Sequence, residues 1–268
     1  MNRPTLVLVS TAFACVTVLA GCGVEPSPPA GVANTSAPAA SSGSGSGLTV
    51  FAAASLKGTF TTIGQQFEAA HPGTKVTFDF AGSADLVTQL QQGAPADVFA
   101  SADTANMTKA TGADLVAGTP VDFATNTLEI AVPPDNPAKI TSFADLTKPG
   151  VKVVVCAAQV PCGAAAQKIE TATNTTIKPV SEENAVTDVL GKVESGEADA
   201  GLVYVTDVKG AADKVKGIPF SESKEAVNTY PIAALTASKN ADLAGQFVQL
   251  VTGTDGQRVL AAAGFAKP

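Results

Sequence analysis

From residue 48 onward, short apolar runs alternate with stretches in which apolar residues recur at helical spacing. The strand-like runs are residues 48–53, 75–80, 97–100, 128–132, 151–155 and 201–205, and the helix-like stretches are residues 59–70, 85–92, 164–171, 186–193, 243–251 and 259–263. Repeated strand–helix–strand units form mostly parallel sheets covered by helices on both faces. Because the units fall into two successive groups, each too short for a large sheet, we predict an α/β protein with two lobes and a cleft between them.

The first 47 residues differ in character from the rest of the chain. Arg3 precedes the apolar run 6–19, and Leu19-Ala20-Gly21-Cys22 matches a lipobox. We predict a lipoprotein signal peptide over residues 1–21 and a lipid on Cys22, which would anchor the chain to the extracytoplasmic face of the cell membrane without spanning it. A plain signal peptide with an incidental cysteine is the alternative. Residues 22–47, rich in Ser, Gly, Pro and Ala, are expected to be a flexible tether.

The remaining cysteines, Cys156 and Cys162, are separated by five residues. In an exported protein this spacing favours a small-loop disulfide, and two free core thiols are the alternative. A zinc site would lack ligands because His71 is the only histidine. We expect no cofactor and no direct cation site.

The formal charge is −7 at pH 7, and loss of Arg3 with the signal peptide makes it one unit more negative. An acidic chain argues against a nucleic-acid partner, since phosphate binding needs a basic face.

Four strand-to-helix junctions nevertheless suit a small anion. Two carry serines, Ser55 and Ser83, and the others are residues 160–163 and 184–186. Ligands of open α/β sheets bind where helices follow strands, and free N–H groups at helix N-termini hold anions without a lysine. The alternative is that both serines are ordinary N-caps of their own helices.

Five motifs, in this order, resemble the molybdate-binding proteins of ABC importers (ModA). They are residues 49–56 (TVFAAASL), 80–83 (FAGS), 93–103 (GAPADVFASAD), 160–163 (VPCG) and 194–204 (ESGEADAGLVY). The resemblance covers the whole region from Leu48 to Phe265. It implies a type II periplasmic-binding-protein fold that closes over one tetrahedral oxyanion.

The resemblance also implies a ligand set, carried over motif by motif. It comprises Ser55, Ser83, Cys162, Val186 and Tyr204. The serines would donate through hydroxyl and backbone N–H groups, Cys162 and Val186 through backbone N–H groups, and Tyr204 through its phenol. The family has Ala or another residue at the position of Cys162, so a disulfide there would be a departure.

The resulting hypothesis is a monomeric, non-enzymatic binding protein that captures molybdate or tungstate and hands it to an ABC permease. We expect residues 48–126 and 230–268 to form lobe 1 and residues 127–229 to form lobe 2, with hinge crossings near Asn126-Thr127 and Thr229-Tyr230. One alternative is a type II binding protein for sulfate or a small organic anion. A secreted serine hydrolase is a remote alternative, since its triad would have to use His71.

Overall fold

The computed structural model describes residues 47–268. The predicted signal peptide, the lipidation site Cys22 and residues 22–46 of the predicted tether lie outside the described residues. Gly47, expected from the sequence to end the tether, is the first residue of a strand because it pairs with Lys75.

Ten strands and eight α-helices make up this region. The strands are β1 (Gly47–Ala53), β2 (Lys75–Ala81), β3 (Val98–Ala100), β4 (Val121–Asn126), β5 (Leu128–Val132), β6 (Val153–Cys156), β7 (Ser181–Glu183), β8 (Ala200–Tyr204), β9 (Lys216–Ile218) and β10 (Asn228–Ala234). The helices are α1 (Lys57–Ala70), α2 (Ser83–Gln91), α3 (Thr104–Gly112), α4 (Pro161–Thr173), α5 (Val186–Glu194), α6 (Val205–Ala211), α7 (Ala241–Thr252) and α8 (Thr254–Ala263).

The first sheet has the strand order β2-β1-β3-β10-β4. Strands β1, β2 and β3 are parallel, whereas β10 runs antiparallel to both β3 and β4. One face is covered by α1, α7 and α8, whose packing centres on the aromatic residues Phe60, Phe67 and Phe247. The other face is covered by α2 and α3, with Leu86 and Met107 in the core.

The second sheet repeats this plan with the order β7-β6-β8-β5-β9. Strands β6, β7 and β8 are parallel, and β5 is antiparallel to β8 and β9. Val189 and Val193 of α5 are fully buried in its core, which explains the apolar stripe seen along that helix in the sequence.

The chain passes between the two sheets at two neighbouring places. Strand β4 ends at Asn126 and β5 begins at Leu128, while the return segment ends where β10 begins at Asn228. Asn126 and Asn228 are register partners in the first sheet. The second predicted crossing, Thr229-Tyr230, lies inside β10, because Thr229 already pairs with Thr125.

The predicted fold class, a two-lobed α/β type II architecture, is confirmed. The sequence pattern missed the strands β4, β7, β9 and β10 and the helices α3 and α6, and it placed Val205 in a strand although this residue begins α6. Within residues 47–268, no helix combines the length and the apolar character needed to cross a bilayer.

Candidate functional site

Five helical segments start where parallel strands end, and their N-termini meet between the two sheets. The first sheet contributes the 3-10 turn Ala54–Leu56, which leads into α1, together with α2. The second sheet contributes α4, α5 and α6. The N–H groups of a first helical turn have no partner within the helix and carry partial positive charge, so the arrangement concentrates donors at one point.

A small cavity lies at this meeting point, and all five predicted site residues line it. Its lining comprises Ala53, Ala54, Ser55, Gly82, Ser83, Ala102, Val160, Pro161, Cys162, Val186 and Tyr204. The cavity volume open to a water-sized sphere is ≈ 10 Å³, far below the roughly 300–1,000 Å³ of typical sites for drug-sized ligands. Every lining side chain is formally neutral, so any anion held here would be held by dipoles.

Neither serine caps its own helix. The helices that begin beside Ser55 and Ser83 have no side-chain cap hydrogen bond. Instead the Ser83 Oγ accepts the Ala102 N–H at 3.0 Å, and the Ser55 Oγ lies 3.1 Å from the Tyr230 Oη. The alternative that both are ordinary N-caps is therefore wrong, and the Ser83 hydroxyl proton is free to donate elsewhere.

Tyr204 presents a buried phenol without a partner. Its side chain is 1% exposed, and no group among residues 47–268 forms a hydrogen bond with its Oη. Leaving such a donor unpaired costs about 1–3 kcal/mol. Burial raises the pKa of the Tyr204 phenol well above its ordinary value, so the group remains a donor at physiological pH. An orphaned donor in a neutral cavity is the feature expected where a ligand oxygen binds.

Asp207 stands behind the cavity, in the first turn of α6. Its Oδ2 accepts the backbone N–H of Tyr204 at 2.9 Å, which fixes the end of β8. Burial raises the pKa of its carboxyl to about 7, and the hydrogen bond from Tyr204 only partly opposes this shift.

Cys162 and Val186 lie in the first turns of α4 and α5. A disulfide joins Cys162 to Cys156, and it closes the loop between β6 and α4. The next residue must be glycine, because a Cβ on Gly163 would lie 2.0 Å from the Ala157 carbonyl oxygen. The N-terminus of α4 is thus pinned to the end of β6 by both a covalent and a steric constraint.

Two residues that the sequence pattern did not point to organise the cavity from behind. Tyr230, in β10, contacts Ser55, and the Nδ2 of Asn228 donates to the Ala102 carbonyl at 2.8 Å. Ala102 in turn holds Ser83 through its N–H. Both residues lie on a strand that the hydrophobic pattern does not predict, and no motif or spacing would have revealed them.

The acidic residues near the motifs stay out of the cavity. Asp97 accepts the Thr49 N–H, and Asp103 caps α3 by accepting the Asn106 N–H at 2.8 Å. His71 lies at the end of α1, where its ring nitrogens contact the Phe67 carbonyl and the Gln246 side chain. Within the described region, no group of three or more His, Cys, Asp or Glu residues could hold a metal ion.

Two lobes joined by two strand crossings, with a cavity of neutral donors between them, define a solute-binding protein. The chain belongs to the family of bacterial extracellular solute-binding proteins, whose family model matches residues 48–266.

Sequence relatives and solved structures agree with this assignment. The chain is 54% identical over 233 residues to the molybdate-binding protein ModA of Mycobacterium tuberculosis H37Rv, covering 87% of this chain and 89% of the relative. The periplasmic molybdate-binding protein of Azotobacter vinelandii superposes with a TM-score of 0.70 at 22% identity, covering 82% and 99% of the two chains. The sulfate-binding protein SubI of M. tuberculosis reaches 0.67 at 19% identity, covering 83% and 87%. The two structural likenesses show the fold alone, whereas the 54% identity confirms the resemblance to the molybdate-binding family.

Proposed function

We propose that this chain captures molybdate in the cavity between its lobes and delivers it to an ABC importer. The observation that carries the proposal is the unpartnered, buried Tyr204 phenol, which faces the same small cavity as Ser55 and Ser83. The 54% identity to ModA supports molybdate over other tetrahedral oxyanions.

The chemistry of the cavity favours an anion without protons. Hydroxyl and backbone N–H groups donate, and no carboxylate lines the cavity to accept a proton from the ligand. Phosphate is partly protonated near neutral pH and would leave its own O–H unpaired. Molybdate and tungstate, which are close in size and charge, would both be accepted, whereas sulfate is smaller and would make longer hydrogen bonds.

The negative net charge does not oppose this function. Helix N-termini act at short range, within the first turn, so local dipoles decide whether a buried anion is stable. The acidic surface lowers the electrostatic attraction of anions from a distance, and we therefore expect capture without long-range steering.

Export and anchoring complete the proposal. The family is extracellular, and residues 1–21 with Cys22 match a lipoprotein signal. We infer a monomer tethered by a lipid on Cys22, working without a cofactor and without catalysing a reaction.

Thermal unfolding with a panel of oxyanions tests this function. A ligand at about 1,000 times its Kd stabilises the folded state by roughly 4 kcal/mol. We expect molybdate and tungstate to raise the melting temperature strongly, sulfate less, and phosphate least. Equal stabilisation by sulfate and molybdate would overturn the assignment of the ligand, and no response to any oxyanion would overturn the site.

Serine variants test whether molybdate binds in this cavity. Ser55→Ala and Ser83→Ala each remove a donor to a charged ligand, and each should weaken molybdate binding by about 1.5–3 kcal/mol. Ser195→Ala is the matched control, since the Ser195 hydroxyl is exposed and bonds Lys192 and Glu197, away from the cavity. The control should bind like the unmodified protein.

A further inference from the structure

We propose that Tyr230 is a positioning residue for the anion: its phenolic O–H donates to the Ser55 Oγ and thereby directs the Ser55 proton at the ligand. This inference rests on the proposed capture of an oxyanion. Nothing in the sequence motifs or in the ligand set that they imply includes Tyr230.

Tyr230 is held rigidly beside the cavity. It is fully buried in β10, and its ring packs edge-on against Phe123, Phe265 and Tyr204 at centroid distances of 6.2, 5.3 and 6.0 Å. Its Oη lies 3.1 Å from the Ser55 Oγ. The ring packing fixes where the phenol oxygen lies, so this contact does not depend on a flexible side chain.

The direction of this hydrogen bond follows from the ligand. Either hydroxyl could donate when the cavity holds no anion, and each has a single proton. A fully deprotonated oxyanion only accepts, so the Ser55 proton must point into the cavity when the ligand binds. The bond between the two hydroxyls must then be donated by Tyr230.

The ionisation of Tyr230 is consistent with a donor role. Burial raises the pKa of its phenol, and the hydrogen bond with Ser55 opposes this only in part. The group therefore keeps the proton that it must donate to Ser55.

The Ser83 hydroxyl also receives a hydrogen bond from the protein, and in this case the direction of the bond is fixed. Its Oγ accepts from the backbone N–H of Ala102, and an N–H group can only donate. Both serine oxygens are thus supplied with a hydrogen bond by the protein, which leaves both serine protons for the ligand. Tyr230 does for Ser55 what the Ala102 backbone does for Ser83.

A double-mutant cycle tests the inference. Molybdate affinity is measured by calorimetry for the unmodified protein, Tyr230→Phe, Ser55→Ala and the double variant. Tyr230→Phe keeps the ring packing and removes only the hydroxyl. We expect it to weaken binding about 2- to 10-fold and to have no further effect when Ser55 is already Ala, because Tyr230 acts through Ser55.

Three results would overturn this role. Tyr230→Phe with unchanged affinity, or with an equal loss in the Ser55→Ala background, would show that Tyr230 does not act through Ser55. A melting temperature without ligand that collapses in Tyr230→Phe would assign the hydroxyl a structural role. If the unmodified protein does not bind molybdate, the proposed function fails, which is a different outcome from a failed coupling between the two residues.

Discussion

The Tyr204 phenol is expected to lower the stability of the unliganded protein and to strengthen ligand binding. Desolvating its hydroxyl without a partner costs free energy in the unliganded fold, and a bound oxyanion would restore the missing hydrogen bond. Stability and binding should therefore respond in opposite directions when this one atom is removed.

Tyr204→Phe provides that test. We expect the melting temperature without ligand to stay the same or rise, since no hydrogen bond of the phenol is lost. Molybdate affinity should fall by about 1.5–3 kcal/mol, the value of a hydrogen bond to a charged group. Differential scanning calorimetry and titration calorimetry measure the two effects separately. A variant that loses stability but binds normally would contradict this role for the phenol.

We predict that the Asp207 carboxyl makes the free energy of unfolding depend on pH. The pKa of its carboxyl rises from an ordinary value of 3.8 to about 7 in the folded chain, because burial disfavours the ionised form. The folded state thus binds a proton that the unfolded state releases between these pH values. The contribution of Asp207 to the free energy of unfolding is fully present below pH 3.8 and is lost as the pH rises through about 7.

The variant Asp207→Asn should not lose stability as the pH rises, since the amide does not ionise and its oxygen can still accept the Tyr204 N–H. The pKa shift of Asp207 corresponds to at most about 4 kcal/mol in the free energy of unfolding. Urea unfolding of both proteins at several pH values measures this contribution. The free energy of unfolding of Asp207→Asn should exceed that of the unmodified protein by a margin that grows as the pH rises. A difference that stays constant over that range would refute the raised pKa.

At the scale of secondary-structure elements, Gly82 marks where the two lobes meet. It precedes α2, and a Cβ added there would lie 2.0 Å from the carbonyl oxygen of Asn184, between β7 and α5. The backbones of the two lobes therefore approach each other more closely at this point than a methyl group would allow. Alanine at position 82 should be tolerated only where the lobes lie further apart than they do in this structure.

We expect Gly82→Ala to lower molybdate affinity at least 10-fold while leaving the melting temperature without ligand nearly unchanged. Gly191→Ala is the matched control, because a Cβ there meets no atom within 4 Å. Small-angle scattering should show that molybdate compacts the control and leaves Gly82→Ala extended. Normal affinity in Gly82→Ala would mean that the contact does not limit closure.

Most elements could be predicted from hydrophobic periodicity, and several of the missed ones have physical reasons. Strands β7 and β9 have three residues each and are only partly buried, so they carry little apolar signal. Strand β10 contains Pro231, where the pairing register with β4 shifts, and its interior position depends on contacts distant in sequence. Val205 looks like the continuation of β8, yet Asp207 turns the chain into α6 by accepting the Tyr204 N–H.

For the whole molecule, the sequence indicated the candidate site residues but not how they are held. Ser55, Ser83, Cys162, Val186 and Tyr204 were carried over motif by motif from the resemblance to the molybdate-binding proteins, and they line one cavity. Their supports could not be predicted because Tyr230 is 175 residues from Ser55 along the chain. Such pairings depend on the return of β10 to the first sheet, which no local pattern encodes.

A molybdate titration monitored by tyrosine fluorescence tests the central claim most directly. The chain has two tyrosines and no tryptophan, and both Tyr204 and Tyr230 lie at the cavity. We predict a saturable change in emission that ends at one molybdate per chain, that tungstate also produces, and that sulfate at the same concentration does not. An emission that does not respond to molybdate, or that sulfate changes equally well at the same concentration, would contradict the capture of molybdate between the lobes.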